Sequence, residues 1–167
     1  MQDNLNSDSD ARKVVIRDLV GDIKEQEKIL DHDNTIIIGD FNCSPFDSEM
    51  IQKDSFNAVL FKDLIMKQET ITFDHRKYQR FYNPMLDYIS EEDSNYGSFY
   101  YGSGLKTLYW YCYDQILMRK ALVNRLVEVS YRKSIKNKRL LKEISPNKKI
   151  SDHLPLIVKF EGRTNHE

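Results

Sequence analysis

Cysteine is scarce in this sequence: Cys43 and Cys112 are the only two, and neither belongs to a CxxC pair. With only four histidines besides, the usual zinc-ligand spacings and a disulfide-stapled scaffold are excluded, and a reducing compartment is favoured. Long hydrophobic runs are missing too. Nothing approaches the ~18 apolar residues that suggest a membrane span. The N-terminus, MQDNLNSDSD, is polar and acidic, the opposite of a secretory signal peptide. These absences lead to the expectation of a cytoplasmic protein with no transmembrane segment. The net charge is only −1, so the chain as a whole offers no argument for a polyanionic partner. No P-loop, no GxGxxG and no GxSxG elbow occurs, which removes the common nucleotide-binding loops and the hydrolase nucleophile turn.

What is present suits one packed unit. The 167 residues are 40% hydrophobic and 31% charged, enough for a core and too apolar for wholesale disorder. Charge is unevenly spread. Residues 1–56 hold 13 acids against 6 bases, and residues 119–149 hold 11 bases against 2 acids, Glu128 and Glu143. The basic stretch could follow a phosphate backbone or could be a solvated loop.

The hydrophobic pattern predicts alternating elements. Residues 1–8 read as frayed. Asp8 or Ser9 can cap a helix running to about Leu30, with Ala11, Val15, Leu19 and Ile23 on one row, flanked by Val14, Ile16 and Val20. Asp31-His32-Asp33-Asn34 breaks it. Thr35–Ile38 is a continuous β-branched run, the pattern of a central strand buried on both faces. Helix, turn and buried strand together indicate an α/β layer protein. A helix is expected around Ser48–Phe56, and Ala58–Met66 is open between helix and strand. Glu69–Phe73 and Gln79–Tyr82 read as paired strands around Asp74–Lys77. Residues 83–106 form a long polar stretch containing the acids Glu91, Glu92 and Asp93 and the aromatic SFYY at 98–101. Thr107–Cys112, Gln115–Met118, Leu126–Tyr131 and Leu156–Phe160 read as strands.

Three strand ends carry chemistry-bearing side chains. IIIGDFN ends in Asp40 and Asn42, WYCYDQIL contains Asp114, and SDHLP supplies Ser151, Asp152 and His153. In open α/β sheets ligands bind at strand ends, so these groups could share one cleft. Carboxylates with an amide and an imidazole suit a divalent metal acting on a phosphate. Each piece also has a plainer use: GDxN is a common turn, Asp114 could be a surface acid, and Ser-Asp-His could be a turn into the last strand. A serine-nucleophile triad from Ser151, Asp152 and His153 is disfavoured, because three consecutive side chains point in different directions.

The order GDFN, YDQIL, SDHLP, with SDHLP just before the last strand, resembles the endonuclease/exonuclease/phosphatase superfamily over residues 10–161. Members include abasic-site endonucleases, secreted DNases, sphingomyelinases and inositol-polyphosphate phosphatases. The resemblance implies half of a four-layer α/β sandwich: one mixed, mostly antiparallel sheet with helices packed on it. It assigns 9–161 to the C-terminal part of such a domain, with 162–167 as a tail. It implies hydrolysis of a phosphoester, nucleic acid slightly favoured over an inositol phosphate or lipid headgroup, with Mg²⁺ or Mn²⁺ as cofactor. By resemblance, Asp40 contacts or activates the attacking water and lies at the metal, and Asn42 orients the phosphate. Asp114 steadies the constellation, His153 stabilises the transition state, and Asp152 either bonds the His153 ring or lies at the metal. The family's upstream metal glutamate has no counterpart here, since Glu25 and Glu27 fall late in a helix. This chain alone is therefore expected to be weak or inactive, and to form a homodimer or bind the missing N-terminal half. The alternative reading is a non-catalytic binding module on the same fold.

Overall fold

The structure, a computed structural model, describes residues 2–89, 97–102 and 109–162. The elements in chain order begin with α1 (Gln2–Leu30), β1 (Ile36–Asp40), α2 (Ser48–Ile51), β2 (Ala58–Val59) and α3 (Lys62–Lys67). The hairpin β3 (Thr70–Phe73) and β4 (Arg76–Gln79) follows, then β5 (Phe81–Tyr82) and α4 (Met85–Ile89). Next come β6 (Phe99–Tyr100), β7 (Trp110–Tyr111), β8 (Asp114–Met118), α5 (Lys120–Val123) and β9 (Leu126–Tyr131). Four two-residue strands cover the basic region: β10 (Ser134–Ile135), β11 (Lys138–Arg139), β12 (Leu141–Lys142) and β13 (Ser145–Pro146). The last element is β14 (Leu156–Phe160).

Helices and sheets of both pairing senses make this a mixed α/β fold. The main sheet has four strands in the order β1-β8-β5-β2, antiparallel except for the parallel β2–β5 edge. Five two-stranded ladders stand outside it among the described residues, so the single sheet of the sequence reading is replaced by several.

The central strand is β8, not β1. Gln115, Ile116, Leu117 and Met118 are all buried, with Leu117 in the core under α1 and Ile116 and Met118 in the core on the opposite face. The run Ile36–Ile38 lies instead at the sheet edge, and its side chains alternate. Ile37 packs under α1, while Ile36 and Ile38 are exposed. A continuous apolar run states that both faces favour burial, but whether a neighbour covers them is a tertiary matter.

Helix α1 also docks on a different row. Its buried positions are Ile16 and Val20, with Ile23 packed against the same core, whereas Val14, Val15 and Leu19 face outward. Charged anchors at both ends of the docked row select it. Arg12 pairs with Glu49 at 3.2 Å, and Glu27 pairs with Arg119 at 2.8 Å. Positions 12, 16, 20, 23 and 27 follow the i, i+4, i+3 spacing of one helical face. The Arg119 side chain is buried, lies over the Phe81 ring at 3.7 Å and donates to the Arg80 carbonyl. An ion pair so placed orients its helix because leaving either charge unpaired there is costly.

Other expectations shift at their boundaries. The helix expected from Asp8 or Ser9 begins at Gln2, so residues expected to fray form its first turns. The helix around Ser48–Phe56 is a single turn, and Ala58–Met66 divides into β2 and α3. The strand expected at Gln79–Tyr82 divides as well. A two-residue turn at Asp74-His75, both with positive φ, closes β3 onto β4, and Phe81–Tyr82 joins the main sheet. Such left-handed pairs match the twist of a hairpin. The polar stretch begins not as loop but with buried Asn83 and Met85 leading into α4. The acidic trio at 91–93 and most of the expected tail at 162–167 lie outside the described residues. Among the described residues no helix is long and apolar enough to cross a membrane.

Candidate active site

Register brings the two strand-end acids together. In the β1–β8 ladder Asp40 stands directly opposite Asp114, as the last pair before both strands leave the sheet. After β1 the chain turns at Asn42, whose φ is +50°. Asparagine tolerates this left-handed conformation better than most residues. The Asn42 backbone N–H donates to Asp40 Oδ1 at 2.9 Å, and its side-chain amide donates to Asp40 Oδ2 at 3.3 Å. Asn42 therefore holds the Asp40 carboxylate rather than projecting away from it. Phe41, between them, packs edge-on against Phe56 with centroids 5.4 Å apart, which anchors the turn to the core.

His153 completes the group. Its Nδ1 is 2.6 Å from Asp114 Oδ2, and its Nε2 is 4.0 Å from Asp40 Oδ2. Asp114 thus occupies the place on the ring that the family resemblance offered to Asp152. Asp152 is exposed and makes no hydrogen bond or ion pair among the described residues. Asp40, Asn42, Asp114 and His153 come together; Asp152 stands beside them on the chain without joining them.

The residues that hold this group were not legible as site residues. Gln115 and Asn83 are fully buried and bonded to each other at 2.8 Å, and Gln115 donates to the Cys43 carbonyl at 2.6 Å. One polar chain therefore ties β8, the start of α4 and the residue after Asn42. The Asp114 backbone is held at both ends: its N–H donates to Ser98 Oγ at 3.0 Å, and its carbonyl accepts from the Tyr131 hydroxyl. Burial pushes the Tyr131 phenol far above its ordinary value, so it remains a donor. On the other side, the Leu154 N–H donates to the Ser98 carbonyl at 2.7 Å, and Phe99 bridges His153. The only advance signal was composition: an uncharged polar residue inside an apolar strand, as in DQILM, needs a buried partner.

Aromatic rings wall the site. The Phe99 ring lies 4.9 Å from the His153 ring and stacks on Tyr113 at 5.5 Å. Burial first, then the carboxylates of Asp47 and Asp40, push the Tyr113 phenol up.

Among the described residues no three His, Cys, Asp or Glu side chains converge as a metal-holding group. The donor set does fit part of a hard-cation site. The Asp40 side chain is 37% exposed and keeps lone pairs beyond its two bonds to Asn42. Mg²⁺ commonly takes one or two carboxylates and completes its octahedron with water and substrate phosphate.

The 4.0 Å between Asp40 Oδ2 and His153 Nε2 is too long for a direct bond. One oxygen can nevertheless sit within roughly 2.8 Å of both. The arrangement can therefore accept a proton at Asp40 while donating one from His153 to the same small group. No family model, no curated protein and no solved structure matches this chain.

Proposed function

We propose that this chain carries the acid–base and phosphate-orienting residues of a divalent-metal-dependent phosphoester hydrolase, a phosphodiesterase or nuclease-like enzyme that attacks phosphate in line with water. The observation that carries the reading is the relay Asp114–His153–Asp40, whose last two members are spaced so that one oxygen beside them can bond to both. Asp40, steadied by Asn42, accepts the proton of the attacking water. His153, its Nδ1 held by Asp114, presents Nε2 to a phosphoryl oxygen and stabilises the charge that builds there. Mg²⁺ or Mn²⁺, when bound, supplies neutralisation of the phosphate charge, and Asp40 is the side chain here suited to touch it. Asp152, exposed beside His153, is the second carboxylate that the resemblance offers to the metal. The fold is half of the four-layer sandwich. The exposed apolar row Val14, Val15 and Leu19 of α1 is the face that a second copy of the chain covers.

The test is Mg²⁺- and Mn²⁺-dependent hydrolysis of bis(p-nitrophenyl) phosphate and of plasmid DNA. The chain is run beside a version extended upstream, with Asp40→Ala and His153→Ala controls. Activity in the extended form that both substitutions abolish supports the hydrolase. Turnover that survives His153→Ala refutes it. Absence of turnover in every form moves the assignment to the binding module.

A further inference from the structure

Two features near His153 are left unused by the hydrolysis chemistry. The first is a row of rings leading away from it. Phe99 sits against His153, Tyr101 lies 6.5 Å from Phe99, Tyr113 stacks on Phe99, and Tyr111 lies 5.2 Å from Tyr113. These rings are only partly covered, and Tyr101 is 37% exposed. A ring needed only for the core would be covered more completely. The second feature is the pair of small hairpins β10–β11 and β12–β13. They and the segment after them present Lys136, Lys138, Arg139, Lys142, Lys148 and Lys149, all exposed and without an ion pair among the described residues. Glu143 is the lone acid between Arg132 and Lys149.

The fold places these two features next to each other. Strand β13 packs beside β6, the strand that carries Phe99, and the Asn147 backbone leads through Lys148 and Lys149 into the turn that presents His153. Lys148 is five residues from His153, no more than roughly 18 Å even along fully extended chain.

We propose that the ring row and the basic hairpins form a binding track for single-stranded nucleic acid, with the scissile phosphate at His153. That last placement rests on the hydrolase reading; the track itself is read out without turnover. Unpaired bases expose their faces and can stack on Tyr101, Phe99 and Tyr113, while the cations contact consecutive phosphates. A duplex hides its base faces in its own stack and reaches only the cations. The track therefore selects single strands over duplex. An inositol phosphate offers nothing to the rings, and a lipid surface has no reason to discriminate strandedness.

The experiment is fluorescence anisotropy of a labelled 20-nucleotide DNA, single-stranded and annealed, titrated with this chain in EDTA at several salt concentrations. Anionic phosphatidylserine vesicles serve as competitor. The expected result is tighter binding of the single strand. Tyr101→Ala should weaken it roughly 5- to 150-fold, with Tyr101→Phe near wild type, as loss of one stacked base predicts. Duplex binding should not change in either variant. Lys148→Gln with Lys149→Gln should weaken both forms and reduce the single-strand salt slope by about 1.4. Equal affinity for the two forms, indifference to Tyr101→Ala, or displacement by vesicles at lower concentration than by unlabelled strand would each overturn the proposal. Hydrolysis of bis(p-nitrophenyl) phosphate with no strand preference would refute the track alone. Strand-selective binding with no turnover in any form would refute the hydrolase and leave the track standing.

Discussion

His153 Nδ1 lies 2.6 Å from Asp114 Oδ2, and both Asp114 backbone groups are held independently, by Ser98 and by Tyr131. The carboxylate that aims the imidazole is thus fixed by the backbone of β8 and not by the turn that carries His153.

Asp114→Asn should leave the fold intact, because the backbone bonds do not use the carboxylate. It should lower phosphodiester turnover in the upstream-extended form by about 100-fold or more, the scale of a displaced acid–base group. The ¹⁵N shifts of the His153 ring check that orientation is the cause: they should move in Asp114→Asn and stay put in Asp152→Asn.

Arg119 and Glu27 form the pair that selects the docked face of α1, with the Arg119 side chain 1% and that of Glu27 10% exposed. Removing either partner leaves a buried charge, so Arg119→Ala or Glu27→Ala should cost about 3–5 kcal/mol in urea unfolding. Arg17→Ala, on an exposed position of the same helix, should change stability by less than about 0.5 kcal/mol.

Gly97 is required by close approach. A Cβ there would lie 2.5 Å from the Tyr111 carbonyl oxygen, so the hairpin that seats Phe99 beside His153 would have to shift. Gly97→Ala should destabilise the protein by about 1–3 kcal/mol and change the near-ultraviolet circular dichroism of the tyrosines. An unchanged spectrum and unfolding midpoint would show that the approach is not this tight.

Both cysteines are buried, and burial first pushes the Cys43 thiol up to about 12 and the Cys112 thiol up to about 11. Their thiolate forms at pH 8 are then only about one part in ten thousand and one in a thousand. Ellman's reagent should titrate neither thiol in the folded protein over minutes and both in denaturant. Fast labelling at pH 8 without denaturant would mean that the loop after Asn42 opens.

The outward row of α1 exposes Val14 at 48%, Val15 at 66% and Leu19 at 40%. Apolar surface in one region favours association. Light scattering should show a dimer or larger species at high concentration, and Leu19→Lys with Val15→Lys should return it to monomer. A clean wild-type monomer would count against a second copy on this face.

The local alphabet was readable in advance. The helix over most of α1, the strands β8, β9 and β14, and a turn after Asp40 all follow from spacing, β-branching and turn chemistry, which act between residues close in sequence. Residue type at the strand ends, together with the family resemblance, singled out Asp40, Asn42, Asp114, Asp152 and His153 as residues to watch. What spacing could not settle was which neighbour each element meets. Tertiary pairing made β8 the central strand and left Ile36–Ile38 at the edge. The buried pair of Arg119 and Glu27, 92 positions apart, turned α1 onto Ile16 and Val20 instead of Val15 and Leu19. The carboxylate on the His153 ring is Asp114, 39 residues away, rather than the adjacent Asp152. Adjacent residues in an extended turn diverge, whereas residues brought together by strand register converge, so only the folded chain could decide which acid serves the histidine.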